Sequence, residues 1–125
     1  MPKVLLVADE PWVENQVRAA LSSRSDAMLH ESDPTAVAEL VLEWRPDLVV
    51  VDLQVGTMGG MAVVRAIRDA VLAEGAPRMA VVMLLDRSAD AFLARRSGAG
   101  AWLAKPFTAH QLRTAMEEAA RVAAA

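Results

Sequence analysis

The chain has 125 residues, the size of one domain, with 54% hydrophobic and 23% charged residues and a net charge of −3. That balance excludes a disordered chain and a basic surface built for nucleic acid, and the absence of cysteine excludes disulfides, thiolate catalysis and Cys-based zinc sites. The first apolar run is too short for a signal peptide and no later run reaches membrane-spanning length, so no membrane association is expected and the cytoplasm is the expected location.

Val4 to Ala8 is a short Val/Leu-rich run without alternation, closed by Asp9, and reads as a strand buried on both faces. Pro11 opens a helix with Val13, Val17, Ala20 and Leu21 at helical spacing, ending in the polar stretch Ser22 to Asp26. Ala27 to His30 is a short second strand. Asp33 and Pro34 supply an N-cap and a first-turn proline for a second helix, whose stripe is Val37, Leu40, Val41 and Trp44. The strand Leu48 to Val51 is closed by Asp52, and Gly56, Gly59 and Gly60 then mark a loop. Val64, Ile67, Val71 and Leu72 are the expected apolar side of a third helix that stops near Gly75 and Pro77. Ala80 to Leu85 is the fourth strand, a short helix around Phe92 ends at Gly98, and the strand Ala101 to Ala104 is closed by Lys105. Thr108 to Gln111 is a capping box opening a last helix with the stripe Leu112, Ala115, Met116, Ala119 and Val122.

Strand and helix alternate five times, which predicts an α/β fold: a single doubly wound five-stranded parallel sheet with helices on both faces, one domain over residues 1–125. In such sheets the ligand crevice lies beyond the carboxyl ends of the strands. Asp9, Asp52 and Lys105, each closing an apolar run, are therefore expected to meet in one crevice. A carboxylate there can act as a nucleophile toward a phosphoryl group if the charge on the transferring oxygens is neutralised. Asp52 is the candidate acceptor, Asp9 and Asp52 suit Mg2+, which takes one or two carboxylates and keeps several waters, and Lys105 pairs with a phosphoryl oxygen.

The stretches Leu5 to Pro11, Pro46 to Leu53 and Lys105-Pro106-Phe107 resemble the receiver domain of two-component response regulators, and the likeness covers essentially the whole chain. The resemblance implies a flavodoxin-like fold with Asp52 as phosphoacceptor and Asp9 as a magnesium-binding acid. It also implies a backbone carbonyl of Gln54 on the metal and Lys105 sensing the phosphoryl group through a cis Lys-Pro bond. Trp102 falls at the aromatic switch position. A histidine kinase or phosphotransfer protein would supply the phosphoryl group, and a downstream protein or output domain would read it, at a surface of Arg95, Arg96, Trp102 and the last helix. No enzyme activity is expected beyond self-phosphorylation from a phosphodonor and autodephosphorylation.

The departures from that family pattern mark an atypical member. Ala8 stands where the family has a first acid, which should weaken Mg2+ binding, and Glu10 is expected to compensate in part through water. The switch hydroxyl is absent: alignment of the fourth strand puts Leu85 there, a gapless count from Lys105 puts Met83, and Ser88 substitutes only if its loop folds inward. Glycines at 56 and 59 replace a proline and an acid, which should loosen the loop after Asp52. Switching is therefore expected to be impaired, and a phosphorylation-independent pseudo-receiver acting as a protein-binding module is the alternative. A phosphatase with an aspartate nucleophile would want a second acid where Gln54 stands. Trp12 and Trp44 are read as packing residues, Trp12 also lying near the site, the methionines as core filling, and His30 and His110 as surface or structural, since neither has metal-ligand partners at useful spacing.

Overall fold

The computed structural model describes residues 3–21 and 27–125, which form one five-stranded sheet and the helices that cover it. In chain order the elements are β1 (Lys3–Val7), α1 (Pro11–Leu21), β2 (Ala27–Glu31), α2 (Val37–Trp44), β3 (Leu48–Asp52), α3 (Gly60–Ala73), β4 (Ala80–Leu85), α4 (Ala91–Ser97), β5 (Ala101–Ala104) and α5 (Ala109–Ala124). All strand pairs are parallel, in the order β2-β1-β3-β4-β5. The expected doubly wound sheet is thus the observed one. The chain goes outward from β1 to β2 and returns on the other side of β1 to β3, so the order reverses between β1 and β3, where open sheets of this kind form their crevice.

Every residue of β3 and β4 is buried, which is why their sequences do not alternate. Successive side chains enter opposite cores. Val4, Leu6, Val50, Val82 and Leu84 pack with α1 and α5, while Leu5, Val7, Val49, Val51, Val81, Met83 and Leu85 pack with α2, α3 and α4. The register fixes the top of the sheet: Val7 lies opposite Val51, Asp52 opposite Leu84, and Leu85 opposite Ala104.

Several local readings need correction. Asp33 caps a separate 3-10 turn over Pro34–Ala36, accepting from the Thr35 amide, and α2 begins only at Val37, after Ala36, without a side-chain cap. Leu72 is 77% exposed, because the buried line of α3 runs through Gly60, Val63, Val64, Ile67 and Val71 and residue 72 lies one step past it. Val122 is also exposed near the end of the α5 stripe, whereas Leu112, Ala115, Met116 and Ala119 are buried as expected. The capping box of α5 is complete, with Thr108 accepting the Gln111 amide and Gln111 accepting the Thr108 amide. The polar stretch Ser22 to Asp26 lies outside the described residues.

Candidate functional site

Asp52 ends β3 with its side chain wholly shielded from solvent. Both carboxylate oxygens accept from Lys105 Nζ, at 3.0 Å and 3.1 Å, and Oδ1 also accepts the Gln54 amide at 3.2 Å. Lys105 reaches Asp52 because β5 stops level with β4. The Lys105 amide donates to the Leu85 carbonyl at 2.8 Å, one residue from the Leu84 that faces Asp52, and the Lys105-Pro106 bond is cis as the resemblance implied.

The Lys105 ammonium has a second carboxylate partner, Asp86 Oδ1 at 2.9 Å, and lies 5.2 Å from the centre of the Trp12 ring. Burial works against its charge, but the Asp86 and Asp52 carboxylates outweigh burial and hold its pKa above the ordinary lysine value. A cation over an indole face adds modest attraction of the same sign. Trp12 lies at the site as expected, but it is exposed there and is not the packing residue the sequence suggested.

Asp9 follows β1 and is exposed, with Oδ2 accepting the Gly56 amide at 2.8 Å. Gly56 has φ +55°, and this left-handed turn aims its N–H at Asp9. The loop after Asp52 carries backbone hydrogen bonds of its own. Gly59 donates to Val55 and Gly60 to Leu53, and a Cβ on Gly60 would stand 2.6 Å from the Asp52 carbonyl oxygen, so only glycine lets α3 start this close to β3.

Glu10 is exposed and its carboxylate accepts from the Trp12 indole N–H. Ala8 is fully buried in the core shared by α1 and α5, and its carbonyl accepts from His30 Nε2 at 2.7 Å, which makes His30 structural. Among the described residues no group of three or more His, Cys, Asp or Glu side chains is arranged to hold a metal ion. By donor chemistry the carboxylates of Asp9 and Asp52 and the Gln54 carbonyl suit Mg2+, a hard ion content with one or two carboxylates and waters, and not a structural zinc site.

Leu85 is buried at the end of β4 and Met83 lies a full two residues deeper, opposite Val51; neither side chain has a hydroxyl to offer. Ser88 is exposed on a one-turn 3-10 helix over Ser88–Asp90, so its loop does not fold inward. Trp102 is half-buried on the edge strand β5 with the Arg95 guanidinium 5.6 Å from its ring centre. Sequence reasoning missed Asp86. Its signal was the one that exposed Asp9, Asp52 and Lys105: Asp86 is the charged residue that closes the apolar run Ala80 to Leu85.

The model of the response regulator receiver domain matches residues 4–117. This chain belongs to that family. Receiver domains serve phosphorelay signalling in two-component systems, and this receiver shares the fold of many solved ones. A response regulator receiver domain protein from Clostridium thermocellum is 28% identical, with a TM-score of 0.79 over 97% of this chain and 95% of that one. The chemotaxis response regulator CheY4 of Vibrio cholerae is 23% identical, with a TM-score of 0.80 over 95% and 98%. NtrX from Brucella abortus, also 23% identical with a TM-score of 0.80, is covered over 27% of its length by 98% of the receiver. Among the described residues no helix is long and apolar enough to cross a membrane.

Proposed function

We propose that this receiver accepts a phosphoryl group on Asp52 from a histidine kinase or phosphotransfer protein and passes the change to a downstream protein or output domain. The observation that carries the reading is a shielded carboxylate whose two oxygens both face an ammonium, at the switch point of a parallel sheet. An Asp52 oxygen attacks phosphorus as the bond from phosphorus to the donor's imidazole nitrogen breaks, and the imidazole keeps the electron pair. Lys105 neutralises a phosphoryl oxygen, and the Gln54 amide, which already donates to Oδ1, keeps the carboxylate oriented. Mg2+, when bound by Asp9, Asp52 and the Gln54 carbonyl, supplies further neutralisation of the transferring oxygens. Enzymatic turnover of other substrates is not part of this role, and a cytoplasmic setting suits it.

Intact mass after incubation with acetyl phosphate, with and without Mg2+, on the wild type and Asp52→Asn tests the proposal. A phosphoryl adduct that needs Mg2+ and is lost in the variant is expected. An intact fold with no adduct favours the pseudo-receiver, for which the buried methyl of Ala8 and the apolar Leu85 are the specific observations.

A further inference from the structure

An ammonium has three N–H donors, and three carboxylate oxygens already surround Lys105 Nζ: Asp52 Oδ1 and Oδ2 at 3.0 Å and 3.1 Å, and Asp86 Oδ1 at 2.9 Å. A newcomer bearing negative oxygens can reach Lys105 only by displacing one of them. Asp52 is buried, whereas the Asp86 side chain is 47% exposed and regains water as it leaves. Beyond Asp86 the loop is stapled to itself, with the Asp90 amide donating to the Arg87 carbonyl at 3.0 Å and Arg87 Nη2 3.1 Å from Asp90 Oδ1, and it runs directly into α4. Its side-chain link to the site is Asp86.

We infer that Asp86 tethers the loop between β4 and α4 to Lys105, which it shares with Asp52, standing in for the absent hydroxyl as the loop's link to the site. The sense of the link is release. A phosphoryl group on Asp52 draws the ammonium to its own oxygens and repels the Asp86 carboxylate, which swings into solvent and frees the loop. This release rests on the phosphoacceptor role proposed for Asp52; the tether itself does not. Asp86 is a positioning residue, since it acts on the site through Lys105.

Amide hydrogen exchange over residues 85–91 tests the tether in the wild type, Asp86→Asn, Lys105→Met and the double variant, all unphosphorylated. Removal of a half-exposed ion pair is expected to speed exchange of the Asp90 and Ala91 amides roughly two- to fivefold in Asp86→Asn. Lys105→Met, which also leaves the buried Asp52 carboxylate without its cation, is expected to speed it at least as much, and the double variant to exchange no faster than Lys105→Met. Equal protection in the wild type and Asp86→Asn overturns the inference. After acetyl phosphate and Mg2+, the phosphorylated wild type should show the same acceleration and phosphorylated Asp86→Asn no further one. An adduct that leaves the wild-type loop as protected as before overturns the release and leaves the acceptor role standing. A wild type that takes no adduct overturns the acceptor role, and the unmodified proteins still decide the tether.

Discussion

The Asp9 carboxylate holds the Gly56 amide at 2.8 Å, tying the acid after β1 to the loop after the candidate phosphoacceptor on β3. The bond needs a left-handed residue at 56, and a Cβ there would also stand 2.9 Å from the Pro34 ring. Gly56→Ala should therefore lower stability by about 1–2 kcal/mol, the usual strain of a left-handed alanine, and weaken Mg2+ binding as Asp9 loses its anchor. Urea unfolding and a Mg2+ titration check both effects; unchanged values in both would show the loop to be free of this constraint.

The missing first acid can be restored. Ala8→Asp adds a carboxylate at a buried position beside Asp9, so without metal it should cost roughly 3–5 kcal/mol, the penalty of an uncompensated buried charge. With metal the added charge should tighten Mg2+ binding on the order of tenfold after desolvation is counted. Tryptophan fluorescence, with Trp12 beside Lys105, is the readout. Unchanged affinity would mean that the carboxylate at residue 8 does not reach the metal.

The Lys105 pKa sets a pH signature. Because the folded value lies above the unfolded one, the stabilisation is fully present below the unfolded lysine pKa of about 10.4 and is lost as pH rises through the folded value. Denaturation midpoints measured from pH 8 to 11 should fall at the alkaline end in the wild type, with a component absent from Lys105→Met. Parallel curves for the two proteins would contradict the assignment.

Asp52→Asn should abolish phosphorylation with the fold intact. The amide still accepts one hydrogen bond and Asp86 still partners Lys105, so no buried charge is orphaned and the stability change should stay within about 1 kcal/mol. A drop of roughly 3 kcal/mol or more in urea unfolding would identify Asp52 as a structural residue instead.

Residue order by itself determined the architecture. Two-sided burial leaves unbroken Val/Leu runs in β1, β3 and β4, and their lengths, with helix stripes and caps between them, permit little besides a doubly wound parallel sheet. It also placed Asp9, Asp52 and Lys105 at strand ends, and hence in one crevice, because parallel strands put all carboxyl ends on one side. Local chemistry was legible where it stays within one turn, as in the Thr108 capping box, and less so at Leu72, where one residue of helical phase separates buried from exposed.

Only the tertiary structure decided which charges touch. Asp86 is 19 residues from Lys105 in sequence and joins it because β4 and β5 end level, a matter of register between strands. The Asp9 bond to Gly56 and the Trp12 ring beside Lys105 likewise join segments that only the packed sheet brings together. Periodicity reports which face of an element is buried, since burial repeats along the chain. Pairing between side chains on different strands depends on distances that no local repeat encodes.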